Sequence, residues 1–252
     1  MGNNESNPVR NLDKRTARRE YKDYFLSGIR QFNHSVLIEN DVVTNGRRIA
    51  SNNYPAHGKS ISGKTANIKV CVRKRPFFSK EDKAGEFDVI TCIDSKQIVT
   101  HDCRMEADMK SMYINRNRFI FDYVFNDKCS NIDVYNETTS HLVRDTIENA
   151  SYNTAMVYGQ TGSGKTFTMS SIYENTADEI FQIINNNELY NDMSVSISFI
   201  EIAGESVHDI LNNFMPCQLL SAVDGSVHAF PTVEPVVKNK QQLLAIVAHG
   251  IR

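Results

Sequence analysis

The sequence predicts an α/β fold built around a nucleotide-binding P-loop. Apolar runs typical of strands alternate with helical patterns from residue 68 to residue 250. A short apolar run, TAMVY at 154–158, leads directly into GQTGSGKT at 159–166, and a helical pattern follows. A strand, a glycine-rich loop and a helix in this order make a phosphate cradle. We therefore expect a sandwich of helices around a central sheet.

The first 66 residues differ from the rest of the chain in charge. They hold 11 Lys and Arg against 6 Asp and Glu, whereas residues 67–252 hold 17 against 24. Residues 11–32 show a basic helical pattern, and residues 40–66 are rich in Asn, Ser and Gly, as linkers are. The apolar positions of the helical pattern are Tyr21, Phe25, Ile29 and Phe32. The sequence therefore predicts a basic helix and flexible linker over 1–66 and a folded domain over 67–252.

The elements before the loop follow from local patterns. A β-branched run at 68–76, IKVCVRKRP, predicts a strand that ends at its proline, and FIFDYVF at 119–125 predicts a second strand. Ser130 and Asp133 have the S-x-x-D spacing of a helix cap. The apolar positions of the helix that follows are Ile132, Tyr135, Leu142, Val143 and Ile147. TAMVY then reads as a short buried strand.

The elements after the loop complete the alternation. We predict a helix around 172–184, a strand at 194–202 and a hairpin through 219–230. The last apolar pattern, KQQLLAIVAHG at 240–250, predicts a helix. No internal repeat interrupts this order.

Two stretches satisfy the P-loop pattern G-x-x-x-x-G-K-[ST], namely 58–65 and 159–166. A working cradle needs a strand before it and a helix behind it, whose N-terminal amides and dipole face the anion. GKSISGKT at 58–65 follows the polar stretch SNNYPAH and runs into a predicted strand. Because no helix follows it, the motif lacks the amide donors of a helix N-terminus and offers an anion only the charge of Lys64. We interpret the first match as a chance occurrence of the pattern within a linker and the second as the nucleotide site.

The predicted nucleotide site comprises the whole second loop, and its residues have different expected roles. The glycines let the backbone wrap around the β-phosphate with its amides turned inward. Lys165 is expected to bridge the β- and γ-phosphates, and Thr166 to offer its hydroxyl to Mg²⁺. The predicted phosphate-binding residues are Gly159, Gln160, Thr161, Gly162, Ser163, Gly164, Lys165 and Thr166. ATP and Mg²⁺ are therefore the expected ligands.

Composition narrows the class of protein further. Five cysteines, never closer than 11 residues, suggest reduced thiols rather than a disulfide framework or a metal knuckle. No apolar run of membrane-spanning length occurs, and we expect a cytoplasmic protein without a nucleic-acid partner. The start, MGNNES, fits the loose myristoylation pattern M-G-x-x-x-[ST], but we interpret it as a polar start and expect no membrane partner.

The residues around the second loop resemble the kinesin motor domain. The resemblance runs from about Ile68 to Arg252 and rests on MVYGQTGSGKTFTM, FIFDYVF, IDVY and CVRKRP. It implies an ATP-hydrolysing microtubule motor of the cytoskeleton that binds ATP and ADP. It also implies that Arg73 and Pro76 line the adenine. Phe167, where the family usually has His, is expected to stack on the other face of the base.

CVRKRPF is most similar to the internal-motor kinesins that depolymerise microtubule ends. Those proteins place a basic neck before the motor domain, as residues 1–66 would do here. They also carry a K-V-D tip before the F-x-F-D strand, for which Glu106, Ala107 and Asp108 are the nearest match. Lys has become Glu, so the charge that would face acidic tubulin is reversed.

The family's γ-phosphate sensors are not found in this sequence. Neither N-x-x-S-S-R-S-H nor D-L-A-G-x-E occurs, and SFIEIAGES at 198–206 has Ser206 where the second motif requires Glu. The SVHDIL that follows resembles the family's E-I-Y-x-x-x-x-D-L-L segment, so we assign residues 201–211 to that structural element rather than to a switch. The chain therefore resembles the N-terminal half of a motor domain, truncated before the switch elements, and we expect no ATP turnover from it alone. We also expect Thr154–Tyr158 to lack neighbouring strands.

Two other functions remain open. One is a catalytically inactive fragment that binds a nucleotide, or a partner motor through its basic N-terminal segment. The other is an unrelated P-loop enzyme such as a small kinase, which would need an acceptor site and a lid that the sequence does not reveal.

Overall fold

The computed structural model describes residues 13–44, 68–108, 110–190, 192–223 and 225–251, without the side chains of residues 14 and 39–44. The chain forms two compact units, Met1–Cys129 and Ser130–Arg252. The boundary predicted near residue 66 and the first P-loop match lie outside the described residues.

The first unit contains three helices and five strands in its described part. The helices are α1 Lys14–Glu20, α2 Lys22–Thr44 and α3 Ser79–Lys83. The strands are β1 Cys71–Arg73, β2 Ile90–Cys92, β3 Gln97–Met105, β4 Met112–Ile120 and β5 Tyr123–Phe125. β2, β3 and β4 form an antiparallel sheet, and β1 pairs with β5 in parallel. The sequence had not predicted β2, β3 or the first part of β4.

The predicted strand FIFDYVF is divided at Asp122. The backbone N–H of Asp122 donates to Val70 O at 3.0 Å, and Val70 N–H donates to the Asp122 carboxylate at 2.7 Å. These bonds turn the chain away from β4 and direct residues 123–125 onto β1. The prediction of one continuous strand is therefore wrong at this residue.

The basic N-terminal helix packs on the three-stranded sheet. Phe25 is fully buried and Ile29 is 6% exposed, and both belong to one buried cluster with Phe87 and Cys103. Gly28 allows the close approach of helix and sheet, since a Cβ there would lie 2.7 Å from Ile114 Cδ1. The helix therefore contributes to the core of the first unit.

Acidic residues of the same unit pair with basic side chains of α1 and α2, into which the predicted basic helix is divided at Tyr21. Lys22 Nζ donates to the Asp82 carboxylate at 2.9 Å, and the Arg19 guanidinium donates to Glu86 at 3.0 Å. Arg15 lies 3.4 Å from the same Glu86 carboxylate. Three of the cations predicted to form a basic segment thus have partners within the protein. α2 also continues to Thr44, so residues 40–44 are helical rather than linker.

A buried histidine lies between α2 and the sheet. His101 on β3 is 1% exposed, its Nε2 is 2.9 Å from Thr91 Oγ1, and its ring meets Phe32 edge to face. Thr91 Oγ1 also donates to Asn33 Oδ1 at 2.6 Å. The pKa of His101 is lowered to about 4, mainly because the imidazole is buried and to a smaller extent because of the nearby Arg116 charge. The imidazole is therefore neutral in the folded protein.

The second unit contains four helices and six strands in its described part. The helices are α4 Asn131–Thr138, α5 Ser140–Asn149, α6 Lys165–Asn186 and α7 Lys240–Gly250. The strands are β6 Val195–Ser196, β7 Ile200–Ala203, β8 Ser206–Asp209, β9 Met215–Ser221, β10 Val227–Phe230 and β11 Val236–Val237. The predicted helix around 172–184, the hairpin through 219–230 and the last helix are confirmed. The predicted strand at 194–202 is interrupted between β6 and β7.

The predicted cap at Ser130 is also confirmed. Asp133 N–H donates to Ser130 Oγ at 3.2 Å, while Ser130 N–H donates to the Asp133 carboxylate at 2.8 Å. The predicted single helix is divided at Thr139 into α4 and α5.

The core of the second unit joins α6 to α7 and to the β6–β11 pair. Its buried members are Ala177, Phe181, Val237, Leu243 and Val247. The remaining strands form an antiparallel sheet in the order β10, β9, β8, β7. The carboxylate of Asp209, fully buried, ends β8 by accepting Leu211 N–H at 2.9 Å and Val233 N–H at 2.7 Å. Small separate sheets therefore replace the predicted central sheet in the described residues, while the α/β class is kept.

We predict that the first unit loses stability in acid because of His101. Its folded pKa of about 4 is below the ordinary value of 6.5, so the unfolded chain takes up the proton first. The free energy of unfolding should therefore fall as the pH decreases from about 6.5 to about 4. Urea unfolding at a series of pH values would measure this slope.

His101→Gln is the matched control, since it keeps a polar side chain but removes the titration. Arg116 and Lys74 disfavour the imidazolium and Asp88 favours it, so the comparison must be made at constant ionic strength. Equal pH slopes for the wild type and His101→Gln over this range would contradict the prediction.

Candidate functional site

The segment that enters the second P-loop is fixed by Asp145, in the middle of α5. Its carboxylate accepts hydrogen bonds from the Ser151 hydroxyl, from Asn153 Nδ2 at 3.0 Å and from Asn149 Nδ2 at 2.9 Å. These bonds, Ser151's first, lower the pKa of Asp145 to about 2. The ionised carboxylate thus holds the chain at residues 151–153.

The predicted buried strand TAMVY is wrong as a strand. Residues 154–158 have no assigned secondary structure, and Met156 and Tyr158 are 81% and 92% exposed. A strand requires a neighbour to accept and donate its backbone hydrogen bonds, and the described part of the chain provides none here. The expectation that Thr154–Tyr158 would lack neighbouring strands agrees with this arrangement.

The P-loop itself closes at the N-terminus of a long helix. Helix α6 has 22 residues and begins at Lys165, and Gly164 caps it with a φ of 100°. At the start of the loop, a Cβ on Gly159 would lie 2.6 Å from Ser163 Oγ. Side chains at these two positions would therefore strain or obstruct the loop. Ser163 N–H donates to Gln160 O at 3.1 Å and closes the turn between them.

Lys165 points back into the loop from the first turn of α6. Its ammonium donates to Gly159 O at 2.8 Å and to Gln160 O at 3.0 Å. The positive end of the helix dipole and the lysine charge therefore lie at the same place. Thr166, next in the helix, is exposed, as is Phe167 with 65% of its surface accessible. The remaining loop members, Thr161 and Gly162, are exposed as well.

These features fit a polyphosphate. A helix N-terminus offers amide donors and a positive dipole end, and a tight glycine turn lets the backbone approach an anion closely. The lysine adds a mobile cation that can exchange its carbonyl partners for phosphate oxygens. The described residues contain no cluster of three or more His, Cys, Asp or Glu able to hold a metal ion by themselves. A divalent cation here would therefore need ligand oxygens from a bound nucleotide.

Arg73 and Pro76, the residues expected to line the adenine, belong to the first unit. The Arg73 guanidinium donates to Cys129 O at 3.2 Å, and burial lowers the pKa of this arginine. Pro76 is exposed. The P-loop belongs to the second unit, so the adenine assignment of these two residues stays a prediction.

Sequence reasoning missed the role of Lys74 in the same run. Its side chain is only 10% exposed, and its ammonium donates to the Asp88 carboxylate at 2.6 Å and to Ile90 O at 2.9 Å. It thereby joins β1 to β2. In an extended chain, Lys74 points to the face opposite that of its neighbours Arg73 and Arg75, which could have indicated a different role for it. Its partner Asp88, however, is 14 residues away and could not be identified from the local sequence.

The segment considered as a possible γ-phosphate switch forms a hairpin. β7 and β8 pair with Glu201 opposite His208, and Gly204 makes the turn with a φ of 63°. This geometry agrees with the structural interpretation of residues 201–211.

Asp108, at the predicted tip before β4, accepts hydrogen bonds from Ser111 and Lys110, which lower its pKa to about 2.

A polar groove between α4, α5 and α6 is a further feature that the sequence did not indicate. It encloses about 570 Å³ and centres on Glu179 of α6. This carboxylate accepts hydrogen bonds from Tyr135 at 2.6 Å, Arg144 at 2.6 Å and Ser140 at 2.9 Å. Burial alone would raise the pKa of Glu179, but these three donors outweigh it and lower the pKa. The groove therefore owes its shape to a fixed ionic network.

Comparison with known proteins agrees with the loop geometry. The family model described as "Kinesin motor domain" matches residues 73–251. Human kinesin-like protein KIF24 is 35% identical over 192 residues, which are 73% of this chain and 14% of that protein. Kinesin-like protein KIN-13A of Oryza sativa subsp. japonica is 31% identical over 193 residues, 74% of this chain and 23% of that protein. The chain thus spans less than a quarter of the length of these two relatives.

A solved structure gives the same result for the fold. A fast kinesin, whose structure was interpreted for its ATPase mechanism and microtubule interactions, aligns with a TM-score of 0.64 at 25% identity. The alignment covers 73% of this chain and 52% of that kinesin. No described helix is long and apolar enough to cross a membrane. From the match over residues 73–251 and this agreement in fold, the chain belongs to the kinesin motor-domain family.

Proposed function

We propose that the loop 159–166 binds the phosphates of ATP or ADP with Mg²⁺, as the nucleotide site of a kinesin-type microtubule motor. One observation carries the proposal: the loop closes on the N-terminus of α6 with the Lys165 ammonium at its centre. Membership in the kinesin motor-domain family supports a nucleotide, rather than another anion, as the ligand of this loop.

Each part of the loop has a proposed role. The backbone amides between Gly159 and Gly164 hold the β-phosphate, and Lys165 binds the β- and γ-phosphates. Thr166 offers its hydroxyl to Mg²⁺, which neutralises phosphate charge when it is bound. Residues 151–153, fixed by Asp145, limit how far the start of the loop can move.

The adenine contacts are proposed from the family resemblance. Phe167 presents an exposed ring directly after the loop, which supports a stacking role. Arg73 and Pro76 are proposed for the opposite face of the base. The guanidinium of Arg73 is already oriented by its hydrogen bond to Cys129 O.

The wider assignments follow from the relatives. We propose a cytoplasmic protein of the cytoskeleton with microtubules as its partner, and with residues 1–66 in the position of a neck. Relatives named as kinesins, among them KIF24, KIN-13A and a diatom spindle kinesin, support this proposal. The packing of α2 on the first unit indicates that at least the described part of such a neck is folded onto the protein.

We predict that nucleotide binding depends on Lys165 and not on Lys64. Lys165 lies at the N-terminus of α6, where amides and dipole act together with its charge, whereas the sequence after Lys64 predicts a strand rather than a helix. Lys165→Ala should therefore reduce ATP affinity by at least about tenfold, the loss of a charge-assisted contact of roughly 1.5–3 kcal/mol. Equilibrium binding of a fluorescent ATP analogue would measure it.

Lys64→Ala is the matched control, because it removes the same charge from the other P-loop pattern. Its affinity should equal that of the wild type. Equal losses in the two variants would contradict the assignment of the site to the second loop.

We also predict that Phe167 stacks on the base. Phe167→Ala should weaken ATP and ADP alike by roughly 1–3 kcal/mol, the range for one aromatic stacked on a base. Inorganic triphosphate, which has no base, should bind as tightly to the variant as to the wild type. A parallel loss of triphosphate affinity would show that the substitution disturbed the loop rather than a stacking contact.

A further inference from the structure

Three side chains before the P-loop form a closed ring of hydrogen bonds. The Ser151 hydroxyl donates to the Asp145 carboxylate. Asn153 Nδ2 donates to Ser151 Oγ at 2.7 Å and to the same carboxylate at 3.0 Å. Asp145 belongs to helix α5, whereas Ser151 and Asn153 follow the end of that helix. We call these three residues the clasp, because they tie the chain that enters the loop to a regular helix.

Asn153 is the member of the clasp with the most partners. Its amide nitrogen also lies 3.0 Å from Thr146 Oγ1 and 3.3 Å from Leu142 O, both in α5. A side-chain amide has two hydrogens, so these acceptors share them, and the loss of one acceptor leaves others within reach. Replacing Asn153 itself removes all of these bonds at once.

The turn between α5 and the clasp depends on being held from outside. Ala150 ends the helix in the left-handed region, with φ of 51° and ψ of 36°. A residue with a Cβ adopts this conformation at a cost in free energy, and it persists where the surrounding structure enforces it. Ser151, the next residue, is the first one that the clasp holds. The clasp therefore stabilises a turn that the local sequence disfavours.

The clasp determines the point from which the chain reaches the loop. Fifteen residues, 150–164, connect α5 to α6, and 11 of them follow the clasp. No strand pairs with residues 154–158 in the described structure. Shortening a free connection from 15 to 11 residues changes its closure probability by less than about twofold. The main effect of the clasp is therefore to fix the position and direction of the entering chain.

The bonds inside the loop depend on that starting point. The Lys165 ammonium donates to Gly159 O at 2.8 Å and to Gln160 O at 3.0 Å. Both carbonyl groups lie in the first two residues of the loop, on the side of the clasp. If residues 151–153 were released, these carbonyls would move away from the lysine. The loop amides and the ammonium would then no longer lie in one arrangement.

We propose that Asp145 and Asn153 are positioning residues that keep the P-loop in its phosphate-accepting form and thereby set the rate at which a nucleotide binds. This inference rests on the nucleotide-binding function proposed above. The two side chains act through residues 151–153 and not by contact with the phosphates. They raise the fraction of molecules in which the loop is already formed.

This mechanism changes one rate constant and not the other. When only a fraction of the molecules is competent to bind, the apparent dissociation constant rises by the inverse of that fraction. Loss of the clasp should therefore lower the association rate constant. The dissociation rate constant is set by the contacts of the bound form and should stay the same. Lys165→Ala removes a direct phosphate contact and should instead mainly accelerate dissociation, as most substitutions in binding surfaces do.

Stopped-flow binding of a fluorescent ATP analogue with Mg²⁺ to the full chain tests the inference. Asp145→Ala and Asn153→Ala should each lower the association rate constant by about three- to tenfold, the range for one or two exposed hydrogen bonds. Their dissociation rate constants should equal that of the wild type. The double variant should bind no more slowly than either single variant, because both substitutions break the same clasp.

Asn149→Ala is the matched control. Asn149 Nδ2 also donates to the Asp145 carboxylate, at 2.9 Å, but this bond lies within α5 and does not reach residues 151–153. Both rate constants of this variant should equal those of the wild type. Asp145→Ala puts a strong helix former into α5, and circular dichroism checks that each variant is folded. If Asp145→Ala is unfolded, Asn153→Ala, which lies outside the helix, decides the outcome.

Hydrogen exchange of residues 154–163 without nucleotide provides a second measurement that does not depend on the ligand. These amides should exchange faster in Asn153→Ala than in the wild type or in Asn149→Ala. Unchanged exchange, or an unchanged association rate constant in both clasp variants, would overturn the inference while the proposed function stands. Faster dissociation with unchanged association would also overturn it, since that result indicates a contact with the nucleotide. A wild-type chain that does not bind the analogue would overturn the proposed function and the inference together.

Discussion

The arrangement of the P-loop at residues 159–166 depends on one carboxylate, that of Asp145. It holds Ser151 and Asn153 at the end of α5, eight residues or fewer before the first glycine of the loop. Residues 154–158 have no strand beside them in the described structure, so the sheet does not position the loop from that side. The loop is instead fixed at its two ends, by the Asp145 hydrogen bonds before it and by helix α6 after it. An ionised side chain thus replaces the backbone ladder that usually fixes such a loop.

The parts of the fold that the sequence predicted are those determined by near neighbours. The Ser130 cap, helix α6 and the β9–β10 hairpin each follow from residues within a few positions of one another. TAMVY has the composition of a buried strand, but whether it forms one depends on a partner strand that its own residues cannot supply. FIFDYVF is divided because Asp122 bonds to Val70, 52 positions away. In the same way, the loop motif predicts the phosphate-binding residues from one short stretch, whereas the Glu179 network depends on partners distant in sequence, and no motif indicated the Asp145 network.

The folded first unit extends beyond the segment that identifies the family. The family match begins at residue 73, yet Phe25 is fully buried and α2 covers one face of the β2–β3–β4 sheet. Removing the helix would expose Phe87 and Cys103 to water, at a loss of about 25 cal/mol for each Å² of apolar surface. Lys22 of α2 and Arg19 of α1 add surface ion pairs with Asp82 and Glu86, which contribute little by comparison. Apolar burial, rather than charge, therefore keeps this helix on the protein.

Helix α6 continues directly from the P-loop at one end and packs into the core of the second unit along its length. Ala177 and Phe181 pack against α7, and Glu179 binds side chains of α4 and α5. Because Gly164 is the N-cap of α6, a change in the order of the loop also affects this helix. Helix α6 in turn packs against α4, α5 and α7. By mass action, an anion that binds only the folded loop shifts the folding equilibrium of the whole second unit, in proportion to the logarithm of its concentration. An anion bound at the P-loop would therefore stabilise a hydrophobic core that the loop itself does not contact.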